Sequence, residues 1–135
     1  MDLEILKIAS DMDNNKFVKN HTHFSKLKNP ICGDEMHISL IVSGNKIVDF
    51  GYQGKSCIYC QASVSLLSRK SKNMEIIKIN ELCNDAQSYF NGDKKIINKK
   101  WDFFKKLFQK KNLPRKECIL LPFKTLKKIV SNISV

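Results

Sequence analysis

From Met36 onward the hydrophobic period changes once, near Gly54, and that change limits the folds open to this chain. Before it, Met36, Ile38, Leu40 and Val42 alternate with His37, Ser39 and Ile41, which is the two-residue period of a strand. Ser43-Gly44-Asn45-Lys46 makes a turn, and Val48, Phe50 and Tyr52 alternate along a second strand. After Gly54 the period lengthens to that of a helix. Ile58, Ala62 and Leu66 form one stripe, widened by Tyr59 and Leu67. Ile79, Leu82, Cys83, Ala86 and Phe90 form a second, ended by Asn91-Gly92. Trp101, Phe104, Leu107 and Phe108 form a third, broken at Leu113-Pro114. A last helix starting near Pro122 would bury Phe123, Leu126, Ile129 and Val130.

Upstream of the hairpin, Ile5, Ile8, Ala9 and Met12 predict a first helix over 3–12. The polar stretch from Asp13 to Lys28 reads as a loop or irregular extended segment. The sum is an α+β fold, a small antiparallel sheet built on a hairpin and packed against several helices. The 135 residues fit a single domain, 1–135. No apolar run reaches the ~18 residues of a membrane span. The start, Met1-Asp2-Leu3-Glu4, is acidic where a secretory signal is basic, so a cytoplasmic protein is expected.

The formal net charge is +11, from 22 lysines but only two arginines, Arg69 and Arg115. Arginine is the preferred reader of phosphates and bases, so this balance argues against a dedicated nucleic-acid partner. With 15 isoleucines and 12 asparagines beside the lysines, an AT-rich coding sequence accounts for the bias better than a functional basic surface. Ten basic residues and one acid, Asp102, lie between Lys94 and Lys116. They read as a solvated face.

Five cysteines, an odd number, favour metal or thiol chemistry over a disulfide framework. Three lie at expected element boundaries. Cys32 follows Asn29-Pro30-Ile31 and precedes Gly33-Asp34. Cys57 follows Gly54-Lys55-Ser56 where a loop enters a helix. Cys118 follows Arg115-Lys116-Glu117 before the last helix. Free N–H groups at a helix start stabilise a thiolate, and Lys55 and Arg115 could add to this. Gly33 lets Asp34 turn toward the centre that Cys32 faces. Three sulfurs and one oxygen suit tetrahedral zinc. The spacings, 25 and then 61 residues, match no zinc finger. Taken alone, the pattern leaves two readings open, a metal site or three buried inert thiols.

Cys60, one turn from Cys57, is a spare ligand, a sulfur relay or, the favoured reading, a packing residue. Cys83 lies on an apolar stripe and reads as core. His21, His23 and His37 read as surface residues.

The quoted segments carry a resemblance. Asn29-Pro30-Ile31-Cys32-Gly33-Asp34, then Cys57 with Gln61-Ala62-Ser63-Val64-Ser65, then Arg115-Lys116-Glu117-Cys118 with Leu120-Leu121-Pro122-Phe123 follow one another in order. Together the chain resembles the U-type iron–sulfur cluster assembly family, the IscU, SufU and NifU N-terminal proteins. Glu117 before the third cysteine and the long second gap resemble the SufU-like branch.

The resemblance implies a SufE/IscU-like fold and zinc held by Cys32, Asp34, Cys57 and Cys118. It also implies persulfide sulfur accepted from a cysteine desulfurase. On that view Cys32 is the favoured acceptor, Cys118 the second candidate, and Arg115 supports the thiolate or the docked partner. The same resemblance admits a scaffold role, with a transient [2Fe–2S] cluster on Cys32, Cys57 and Cys118 passed to iron–sulfur acceptor proteins. Whether the chain is sulfurtransferase-like or a non-enzymatic scaffold stays open. A rival of another class is a basic nucleic-acid-binding module with a structural zinc.

Overall fold

The computed structural model describes residues 2–91 and 99–133. Its architecture is α+β, with three antiparallel strands in the order β1-β2-β3 packed against four helices. In chain order these are α1 (Leu3–Ala9), β1 (His23–Lys28), β2 (Glu35–Ser43), β3 (Lys46–Gln53), α2 (Ile58–Ser71), α3 (Ile76–Phe90) and α4 (Lys116–Val130). Two 3-10 segments, Lys99–Phe104 and Lys110–Arg115, stand between α3 and α4.

The hairpin forms where the alternation predicts it, except that a register shift between Ile41 and Val42 leaves Val48 exposed and buries Ile47 in its place. Gly44 and Asn45 both take positive φ, 59° and 60°, the conformation that lets a two-residue turn match the twist of its strands. Met36, Ile38 and Leu40 of β2 and Ile47, Phe50 and Tyr52 of β3 are buried toward the helices. On the opposite face the chain from Asn14 to Val18 crosses the sheet. There Val18 N–H donates to Ser39 Oγ at 3.0 Å and Tyr52 N–H to the Asn14 carbonyl at 3.1 Å.

Further expectations are corrected. The stretch from Asp13 to Lys28 is no continuous loop, because His23–Lys28 forms the third strand, paired with Leu40 through Glu35. Helix α1 stops at Ala9, short of the expected residue 12, and Met12 is exposed. The aromatic stretch after residue 99 forms a 3-10 segment and turns in place of an α-helix, although Phe104, Leu107 and Phe108 are buried as expected. The side chain of Trp101 lies outside the described residues, as does Gly92. Helix α4 starts at Lys116, six residues before Pro122, which sits inside it. A proline there lacks the N–H that would reach the Cys118 carbonyl. The apolar residues Ile119, Leu120, Leu121 and Phe123, all buried, hold the helix through it.

Helix α2 is buried nearly all round, including Ser63, Ser65, Ser68 and Ser71. Small hydroxyl side chains let its neighbours approach closely. The Ser63 hydroxyl donates to the Ile119 carbonyl of α4 at 2.6 Å, and that of Ser65 to the Asp11 carbonyl at 3.1 Å. Helices α2 and α4 are thereby fixed side by side, with their N-termini near the Cys32 loop. Among the described residues no helix is long and apolar enough to cross a membrane.

Candidate metal centre

The Cys32 loop is shaped by its own backbone. Asn29 is buried, and its Oδ1 accepts from Ile31 N–H at 2.9 Å. Its carbonyl accepts from Gly33 N–H at 2.8 Å, and its N–H donates to the Asp34 carbonyl at 2.7 Å. Gly33 takes φ +78°, which favours glycine. The result is a tight turn with Cys32 exposed at its tip and Asp34 half-buried behind it.

A second loop closes on the first at Gly54. Gly54 has φ +149°, and a Cβ there would stand 2.1 Å from the Glu35 carbonyl oxygen. This close approach lets Glu35 N–H donate to the Lys55 carbonyl at 2.8 Å. Cys57 follows as the N-cap of α2, and its backbone N–H donates to Asp34 Oδ2 at 3.2 Å.

The third piece is α4. Cys118 lies in its first turn, where the sequence had placed it just before the helix. The ligand atoms of Cys32, Asp34 and Cys118 all lie within 4.8 Å of one another. Cys57 is not part of this triangle, but its backbone N–H is bonded to Asp34 and its thiol bears on that of Cys118. Four side chains expected from the sequence are therefore neighbours, although they come from two loops and two helix starts.

The electrostatics are those of thiols gathered beside a carboxylate. The Cys118 thiol is pushed up, first by burial, then by the neighbouring Cys57 thiol and by the charges of Asp34 and Cys32. The two helix N-termini oppose this with their positive ends. Cys60 is fully buried, and burial pushes its thiol up as well, with Ser56 working the other way.

The Arg115 guanidinium stands over the Tyr59 ring, 5.4 Å from its centre, joining the start of α4 to the start of α2. Cys83 is buried in the core of α3. His37 Nε2 is paired with Glu35 Oε1 at 2.6 Å. His21 contacts the Val18 carbonyl, and His23 lies in β1 against Thr22. Sequence reasoning missed the Cys57 N–H bond to Asp34 and the part played by Gly54. A glycine just past a strand, beside a candidate ligand, is the signal that could have pointed to a close backbone approach.

A profile of the NifU-like N-terminal domain matches residues 5–93. The iron–sulfur cluster assembly scaffold protein IscU of Thermotoga maritima is 31% identical over 108 residues, covering 79% of this chain and 75% of that protein. The chain belongs to the NifU-like N-terminal family, the IscU/SufU group of iron–sulfur scaffolds. The zinc-dependent sulfurtransferase SufU of Bacillus subtilis is 29% identical over a shorter stretch, 46% of this chain and 42% of that protein. A candidate scaffold protein of the SUF system from Fervidobacterium islandicum superposes with TM-score 0.82 at 25% identity, covering 96% of each chain. The N-terminal part of a NifU-like protein from Brucella abortus, at 16% identity, shares the fold with TM-score 0.84 over 96% of this chain and 91% of its own. The family match contains Cys32, Asp34 and Cys57 and stops before α4, so this NifU-like chain draws Cys118 from beyond the matched span.

Proposed function

We propose that this chain is an iron–sulfur cluster assembly protein that holds zinc through Cys32, Asp34, Cys57 and Cys118 and accepts sulfur from a cysteine desulfurase on Cys32. The observation that carries the reading is the convergence of Cys32, Asp34 and Cys118 within 4.8 Å, with Cys57 bonded to Asp34 through its backbone N–H. The donor set fits the ion. Sulfurs 2.3 Å from a tetrahedral zinc stand ~3.7 Å apart, so the triangle needs only a slight contraction. When bound, zinc would keep the thiols deprotonated and offset their charge.

The acceptor must meet a thiol carried by another protein, so it must be reachable. Cys32 is exposed and Cys118 is buried, which favours Cys32 and leaves Cys118 second. The Cys32 thiolate attacks the terminal sulfur of the desulfurase persulfide. The sulfur–sulfur bond of the donor breaks, its cysteine leaves as a thiolate, and Cys32 becomes the persulfide. Arg115, stacked on Tyr59, is set to meet the docked partner or steady a thiolate.

The kinship with a scaffold protein over three-quarters of its length favours a second role on the same residues. There a [2Fe–2S] cluster is cargo, built on Cys32, Cys57 and Cys118 and passed on. Purified protein should contain about one zinc per chain and raise desulfurase turnover, and Cys32→Ala should abolish that stimulation. Full stimulation by Cys32→Ala would overturn the acceptor assignment. Anaerobic reconstitution separates the two roles. A stable absorbing cluster marks a scaffold, and a persistent colourless zinc form marks a sulfur acceptor.

A further inference from the structure

Cys57 and Cys60 stand in Cys57-Ile58-Tyr59-Cys60 at the start of α2, one as the N-cap and one in the first turn. Cys57 has extended backbone, with ψ at 169°, so it stands outside the helix proper and is free of its hydrogen-bond ladder on the N-terminal side. Residues three apart on a helix face one another at about 5–6 Å between Cβ atoms. That is close enough for a bridge after a small shift of the capping residue. The Cys60 side chain leans toward the helix start, as helical side chains do, where Ser56 and Cys57 both bear on its thiol. It lies within electrostatic reach of Cys57, Asp34 and Cys32, while its own surface is wholly buried. A thiol closed off from solvent has its neighbours as reaction partners, and the nearest in sequence is Cys57.

We infer that Cys57 and Cys60 form a dithiol that reduces bound sulfane sulfur and releases it as sulfide. This rests on the sulfur-acceptor reading above. Sulfane sulfur is two electrons more oxidised than the sulfide of a cluster, and the pair holds those two electrons. The Cys57 thiolate takes the terminal sulfur from the Cys32 persulfide, and Cys32 leaves as a thiolate. The Cys60 thiol then attacks the inner sulfur of the Cys57 persulfide. The persulfide bond breaks, a Cys57–Cys60 disulfide forms, and hydrosulfide departs with the Cys60 proton. Two thiols are oxidised and one sulfur is reduced by two electrons, with no outside oxidant. An external dithiol resets the pair, so without one each chain acts once.

The test loads the full-length protein anaerobically with inorganic polysulfide and removes all free reductant. Released sulfide is then measured against time, and the linked Cys57–Cys60 peptide is sought by mass spectrometry. The wild type should release about one sulfide per chain and lose two hydrogens across that peptide. Cys60→Ala should bind the same sulfane sulfur yet release it at least tenfold more slowly. Equal release from Cys60→Ala would overturn the proposal, and so would sulfide released while both thiols stay free. The peptide assay uses the wild type alone, so a variant that folds poorly does not blunt it. A parallel loading with desulfurase and cysteine separates the two readings. Failure there with success on polysulfide removes the desulfurase partnership and leaves the dithiol. Uptake with no Cys60 dependence removes the dithiol and leaves the acceptor.

Discussion

Gly54 shows how one residue governs the site without carrying any of its chemistry. Its φ of +149° strains any side chain, and a Cβ would lie 2.1 Å from a backbone oxygen that cannot swing aside. Gly54→Ala must therefore part the Lys55 carbonyl from Glu35 N–H, and with it Cys57 from Asp34. The expected cost is about 3 kcal/mol, from crowding and an unfavourable φ together. Thermal unfolding should show a fall of roughly 10 °C, accompanied by reduced zinc per chain. Wild-type stability in this variant would show that the approach of the two loops is not what assembles the centre. Residues of this kind also mark the limit of sequence reading. Cys32, Asp34, Cys57 and Cys118 were legible because they form recognisable segments. The Cys57 N–H to Asp34 bond was not, because nothing local in Cys57 announces a partner 23 residues upstream.

At the level of elements, the hairpin and helix α3 were legible because their apolar periods are strong, and α2 because Ile58, Ala62 and Leu66 keep helical spacing among its serines. Strand β1 was not. It reads His23-Phe24-Ser25-Lys26-Leu27-Lys28, and the side it turns to the core offers Ser25 where an apolar residue would have signalled a strand. The start of α4 was hidden by the polar run Arg115-Lys116-Glu117 and by Pro122, which reads as a helix opening and lies instead within one. Helix α2 holds a further consequence. Ser63, Ser65 and Ser68 substitute hydrogen bonds for apolar packing, and Ser63 ties the helix to α4 through the Ile119 carbonyl. Ser63→Ala removes the donor from a fully buried site, so about 1 kcal/mol of stability should be lost. That is a fall of roughly 4 °C on melting. Zinc content should hold, because Phe123 and Leu126 still press α4 onto the core. A melting point unchanged by Ser63→Ala would show that this bond does not join the two helices in solution.

For the molecule as a whole, the candidate metal centre joins parts of the chain 25 and 61 residues apart, so an ion bound there would be linked to folding. A ligand bound only by the folded state stabilises it by about 4 kcal/mol at a thousand times its dissociation constant. Chelation should accordingly lower the melting temperature by 10 °C or more. The pH dependence should differ between the two forms. In the metal-free protein burial holds the thiols of Cys60 and Cys118 above their ordinary range and pushes Cys83 up to about 12. A thiol raised on folding contributes stability that is complete below its unfolded value, about 8.5, and is lost as pH climbs toward the folded one. Each such group weakens the metal-free fold by up to about 1.4 kcal/mol per pH unit in that window. Zinc binding removes Cys118 from this set, because a coordinated thiolate has no proton to lose. The same proton works in the opposite sense on affinity. Zinc must displace it from Cys118, so binding weakens as pH falls, by about tenfold per unit for that proton alone. Melting curves from pH 7 to 10, with and without chelator, should spread apart as pH rises, and zinc titrations from pH 8 down to 6 should show affinity falling. Parallel melting curves, or an affinity indifferent to pH, would mean that Cys118 is not among the ligands.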